Sequence, residues 1–212
     1  MSSEFELNKY VVVRNVLGKQ SQLFFFEFIK FMAERYNLIK VTLPHLYEKN
    51  IIGHSSIADH FVMNDCKSRS YSRYGDPFTE TLLLTMKEDV ERETGLELLP
   101  TYSYLRLYTK GDELLIHTDR KSCEISASLS VGYVGNELWP IFMEGRPLYL
   151  EAGDMVIYRG CEVTHWRNPL EGEIQAQIFL HYNDKNGPHG EDNLYDGRTF
   201  LGLPQSNSWM AE

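Results

Sequence analysis

The chain has 212 residues, 42% of them hydrophobic and 13% aromatic, with a formal net charge of −9. That length and apolar content suffice to bury a core and exclude a disordered chain. The acidic balance argues against nucleic acid as a partner, because phosphate binding needs a basic face.

The N-terminal MSSEFELNKY lacks the basic-then-apolar pattern of a signal peptide. Residues 9–17, KYVVVRNVL, are β-branched and read as a strand. Residues 21–37 carry apolar side chains at helical spacing, with Ser21 as the expected cap. The apolar run inside them, QLFFFEFIKFM, is interrupted by charge and far too short to span a bilayer, so no membrane association is expected. Residues 52–76 are rich in Gly, Ser and Asp and are expected to be mostly loop. Their Lys67, Arg69 and Arg73 read either as a lid over an anionic substrate or as a solvated loop. His54 and His60 in the same loop read as chance spacing rather than a second metal site. A helix follows from Pro77, with Asp76 as N-cap, Pro77 in the first turn and Gly95 as the stop. The cysteines, Cys66, Cys123 and Cys161, lack metal-knuckle spacing, so a cytoplasmic protein with free thiols is expected.

From residue 99 the pattern becomes one of short strands punctuated by Gly and Pro: 101–109, 113–118, 122–133, 138–143, 147–150, 154–158, 162–166 and 174–183. The expected fold is mainly β with flanking helices, a jelly roll (double-stranded β-helix) buttressed by N-terminal helices. One domain over 1–212 is expected, with a support region at 1–97, the jelly-roll core at 98–183 and a turn-rich tail at 184–212.

The chemistry centres on LLIHTD, residues 114–119. On a strand, His117 and Asp119 at i and i+2 face the same side and can converge on one ion. Taken alone, the pair reads more readily as a hydrogen-bonded core histidine beside a capping aspartate. A third ligand must come from another strand, and His165 in EVTHWRNP is the candidate. Two imidazoles and one carboxylate with open positions describe the facial arrangement of non-haem Fe(II) oxygenases; zinc could occupy a similar set. His181, on the final strand, reads as core or as a support for the ligands.

The stretch 98–183 resembles the core of the 2-oxoglutarate/Fe(II)-dependent oxygenases, close to the prolyl-4-hydroxylase-like branch. The resemblance rests on YSYLRLYTKGDELLIHTD, the turn LEAGDMVIYRG and the distal THWRNPLEGEIQAQIFLHY. It implies that His117, Asp119 and His165 are catalytic and hold Fe(II). It further implies 2-oxoglutarate as co-substrate, O2 as oxidant, and hydroxylation of a small molecule or peptide coupled to decarboxylation to succinate. The chain departs from the prolyl hydroxylases at Gln175, where they carry a lysine for the distal carboxylate, and at Leu114, where they carry a tyrosine. The nearest replacement cation is Arg167, whose fork suits a carboxylate, unless it lies in solvent or pairs with Glu171 or Glu173. Arg106 is the next candidate, Tyr108 matches a family tyrosine on the pocket wall, and Arg120 points to the opposite face. The alternatives are a cupin-like metal protein with different or no redox chemistry, and a binding module that has lost its co-substrate. Substrate and oligomeric state are not legible in the residues.

Overall fold

A computed structural model of the chain describes residues 4–42 and 70–203, with the side chains of 39–42 excepted. Lys67, Arg69, His54, His60 and Cys66 therefore lie outside the described residues. Two antiparallel sheets face each other. The larger contains β1 (Tyr10–Val13), β2 (Ser72–Tyr74), β3 (Leu98–Thr109), β5 (Ile125–Val134), β8 (Met155–Arg159) and β10 (Ile174–Asp184). Its spatial order is β1-β8-β5-β10-β3-β2. The smaller contains β4 (Leu114–His117), β6 (Ile141–Met143), β7 (Arg146–Leu148) and β9 (His165–Arg167), in the order β4-β9-β6-β7. This is the expected jelly roll.

Three α-helices among the described residues accompany the sheets: α1 (Glu4–Asn8), α2 (Lys19–Thr42) and α3 (Pro77–Thr94). The α3 ends match their sequence signals. The Asp76 carboxylate accepts from Phe78 N–H at 2.8 Å, and Gly95 takes the left-handed conformation with φ 73°. Helix α2 departs from expectation: it begins at Lys19, so Ser21 lies inside its first turn and does not cap it. Both long helices cover the outer face of the large sheet. Strict alternation along the strands explains why: Ile125, Ala127, Leu129 and Val131 on β5, and Ala176, Ile178, Leu180 and Tyr182 on β10, pack with Ile29, Leu83, Met86 and Val90. The intervening residues Ser126, Ser128 and Ser130 point to the inner face and are fully buried. Small side chains there leave room between the sheets.

Two local readings are corrected. Residues 72–74, expected as loop, form an edge strand paired to β3, because a neighbouring sheet edge can recruit a segment whose own propensity is weak. Arg73 is buried and bonded to Asp76 at 2.9 Å, so it anchors the α3 cap and does not extend over the pocket. Residues 121–123, partly read as strand, form a 3-10 turn before β5. The tail from 184 is pinned by charge pairs: Arg198 to Glu80, both buried, at 2.6 Å, and buried Asp196 to half-exposed Arg120 at 2.7 Å.

Candidate metal and co-substrate site

Residue pairing between β4 and β9 brings distant residues together. His117 stands directly opposite His165, and Leu114 opposite Arg167. The two imidazole centroids are 4.2 Å apart. Asp119, just past the end of β4, places Oδ1 3.6 Å from Nε2 of each histidine. One ligand atom from each of the three side chains lies within 4.8 Å of the other two, a spacing that could hold a metal ion.

Backbone carbonyls orient both rings. His117 Nδ1 is 2.7 Å from the Leu115 carbonyl and His165 Nδ1 is 2.9 Å from that of Val163. An Nδ1–H donated to each carbonyl leaves Nε2 as the metal-facing nitrogen. Asp119 is held from two sides: its N–H donates to the Gly160 carbonyl at 2.8 Å, and the Ser126 hydroxyl donates to Oδ2 at 2.9 Å. Ser126 Oγ is also 2.9 Å from His181 Nδ1, so His181 supports the carboxylate through the serine. Burial alone pushes the Asp119 carboxyl up, but the His117, His165 and His181 imidazoles and the Ser126 hydroxyl hold it down at about 2. Burial pushes His181 down to about 4, which keeps it neutral.

Two expected outcomes follow from this support. Ser126→Ala should weaken metal affinity by about 10- to 100-fold, the usual cost of losing a hydrogen bond to a ligand, measured by titration with Fe(II) or Co(II) under anaerobic conditions. Unchanged affinity would show that Ser126 does not orient Asp119. Gly160→Ala should act more bluntly. A Cβ there would collide with the Cys123 carbonyl oxygen and with Asp119 Oδ2. Overpacking of this kind costs about 1–3 kcal/mol, and relief by moving Asp119 should lower metal affinity while far-ultraviolet dichroism stays native.

The ligand atoms open on a pocket lined by Tyr102, Tyr104, Arg106, Tyr108, Phe179 and Tyr158 among others. Arg106 lies between two tyrosines, 3.2 Å from Tyr104 Oη and 3.3 Å from Tyr108 Oη. Tyr108 also meets the Trp139 ring edge-on at 4.9 Å. Arg167 lies two residues past His165 on β9 and is 2% exposed. Its Nη1 donates to the Trp139 carbonyl at 2.7 Å, and its guanidinium sits 4.7 Å over the Trp139 ring. Nε and Nη2 have no hydrogen-bond partner among the described residues. The readings of Arg167 as solvent-exposed or paired with Glu171 or Glu173 are therefore set aside. Burial lowers it to about 10, the signature of a cation whose counter-charge is not supplied by the fold. Gln175, at the family's lysine position, is buried and bonds Ser130 Oγ at 3.2 Å. Arg120 pairs with Asp196, away from the ligands' open side.

Sequence reasoning did not single out Ser126, Gly160, Trp139 or Cys123. Only the inner-face alternation of small residues on β5 hinted at the first. A second grouping, Asp119 with Cys123 and His181, also has ligand atoms within 4.8 Å of one another. Burial first, and then the Asp119 charge, push the Cys123 thiol far up, so burial and Asp119 both disfavour its thiolate.

No family model matches the chain, and a comparison with curated proteins returns no relative. Solved structures do match. The non-heme alpha-ketoglutarate-dependent carbocyclase SnoK from nogalamycin biosynthesis superposes with a TM-score of 0.62 at 14% identity, over 94% of this chain and 90% of that one. EctD from S. alaskensis, crystallised with 2-oxoglutarate and 5-hydroxyectoine, gives 0.60 at 13% identity over 95% and 85%. A Pseudomonas putida prolyl-4-hydroxylase gives 0.54 at 14% identity over 85% and 95%. At these identities the likeness is one of fold, and the fold is theirs.

Proposed function

We propose that this chain is an Fe(II)- and 2-oxoglutarate-dependent oxygenase that hydroxylates a small molecule or peptide. The observation that carries the reading is the convergence of three potential ligands, with a buried, incompletely paired guanidinium two residues past His165 on β9. His117, Asp119 and His165 match the donor set that Fe(II) takes in facial sites. The unpartnered Nε and Nη2 of Arg167 match the fork that a distal carboxylate requires. An uncompensated buried cation is costly, and a bound dicarboxylate removes that cost.

Bound there, iron and 2-oxoglutarate would supply the oxidising power to attack a C–H bond with dioxygen. The chain's own work is positioning. The Leu115 and Val163 carbonyls fix the imidazoles, Ser126 orients Asp119, and Trp139 holds Arg167 by carbonyl and ring. Leu114 and Ile141, both buried, line the pocket with apolar surface and help exclude water. Leu114 occupies the place of a prolyl-hydroxylase tyrosine, consistent with a co-substrate held by a different cation. The net charge of −9 still argues against a nucleic-acid substrate. No described helix is long and apolar enough to cross a membrane.

Anaerobic protein loaded with Fe(II) should develop a weak visible charge-transfer band on addition of 2-oxoglutarate. Admitting oxygen should bleach the band and yield succinate. Tight iron binding with no band would favour the cupin-like alternative.

A further inference from the structure

The turn-rich tail does more than wrap the domain. Three consecutive residues in it, Tyr195, Asp196 and Gly197, have φ of 53°, 57° and 73°. Left-handed backbone is ordinary for glycine but strained for the two residues before it, and it persists only where the surroundings hold it. Arg198 holds it here. Its side chain is fully buried, Nη2 donates to Glu80 at 2.6 Å and to the Thr101 carbonyl at 3.1 Å, and Nε donates to the Tyr195 carbonyl at 2.8 Å. The turn delivers the Asp196 carboxylate, buried, to two partners. Arg120 Nη1 and Nη2 donate to its two oxygens at 2.7 Å each, and Tyr74 Oη donates to Oδ2 at 2.6 Å.

Both partners adjoin the metal ligands. Arg120 directly follows Asp119, and its backbone is extended, with φ −77° and ψ 166°, so the two side chains leave on opposite sides. Strand β4 ends at His117, so no ladder pairing fixes this segment. Gly160 and Ser126 tie it on the Asp119 side, and Asp196 ties it on the Arg120 side. The Arg120 guanidinium also lies 4.7 Å over the Tyr102 ring, on which Tyr74 packs at 4.8 Å, and Tyr102 lines the pocket.

We propose that Asp196 is a positioning residue for the ligand Asp119, acting through Arg120, so that the docking of the tail and the binding of metal are coupled. The inference rests on the metal site of the oxygenase reading. A docked tail fixes the direction from which the Asp119 carboxylate faces the two imidazoles, and an undocked one lets Arg120 turn and the carboxylate with it. Such coupling is reciprocal: if docking favours metal binding, bound metal favours docking by the same factor.

The test uses the full chain with Co(II) under anaerobic conditions. Asp196→Asn tolerates the left-handed backbone but removes the charge, and it should weaken Co(II) binding about tenfold and shift the visible Co(II) bands. Lys185→Ala, which cuts the tail's exposed tie to Glu97, should leave affinity and bands unchanged. In the unsubstituted protein, amide hydrogen exchange across 191–203 should slow about tenfold when Co(II) is added, and Asp119→Ala should abolish the slowing. Unchanged Co(II) affinity in Asp196→Asn overturns the proposal and leaves the metal reading standing. So does an equal loss in Lys185→Ala, which marks general loosening of the tail, or tail exchange that bound Co(II) does not alter. No uptake of Co(II) by the unsubstituted protein overturns the metal reading, and this inference with it. If Asp196→Asn does not fold, the exchange experiment on the unsubstituted protein still decides.

Discussion

Asp119→Ala should reduce 2-oxoglutarate-dependent succinate formation to the no-enzyme rate and abolish the charge-transfer band, with the fold intact. The carboxylate is the only anionic member of the three converging groups, and it stands 3.6 Å from both imidazole nitrogens. Its removal leaves two neutral imidazoles at adjacent positions, a set that holds a hard divalent ion poorly. It also leaves the Ser126 hydroxyl without its carboxylate acceptor. Because Asp119 lies beyond the end of β4, no ladder hydrogen bond depends on its side chain, so thermal unfolding should move little. His117→Ala should behave alike in activity. Metal titration, succinate assay and circular dichroism on one preparation check the claim. Wild-type succinate formation in Asp119→Ala would remove the three residues from the reaction.

Arg167→Ala should raise the KM for 2-oxoglutarate by roughly 30- to 3000-fold while leaving metal affinity nearly unchanged. Truncating one partner of a buried, hydrogen-bonded charge pair costs about 2–5 kcal/mol, and about 1.4 kcal/mol is tenfold in affinity. The guanidinium is buried, 2% exposed. In the unsubstituted protein, 2-oxoglutarate with an inert divalent metal should raise the thermal midpoint, since a ligand that binds only the folded chain stabilises it. That shift should vanish in Arg167→Ala. Arg167→Lys should fall between, because an ammonium keeps the charge but not the two-pronged geometry. An unchanged KM in Arg167→Ala would transfer the carboxylate contact to Arg106, which lies in the same pocket between Tyr104 and Tyr108.

Much of the architecture was legible along the chain because its signals are local. Asp76, Pro77 and Gly95 bound α3 through hydrogen bonds and dihedral preferences that operate within a few residues. Alternation on β5 and β10 separates the helix-packed face from the inner one, and it follows from the pleat alone. The edge strand Ser72–Tyr74 was missed because its stability comes from β3, not from its own composition. His117 and Asp119 do converge, but Asp119 lies past the end of β4 and is placed by its bonds to Gly160 and Ser126 rather than by strand periodicity. What the sequence could not determine was which distant groups meet that pair and what each cation touches. The register of β4 on β9 sets His165 against His117, and a slip of one residue would turn His165 to the other face. The burial of Arg167 depends on the Trp139 ring and carbonyl 28 residues away, and Cys123 reaches the pocket through a turn that read as strand. Sequence alone thus determined the elements and their faces, because those energies are local. Tertiary structure decided the pairing and the solvation of the charged groups, because desolvation depends on everything packed around them.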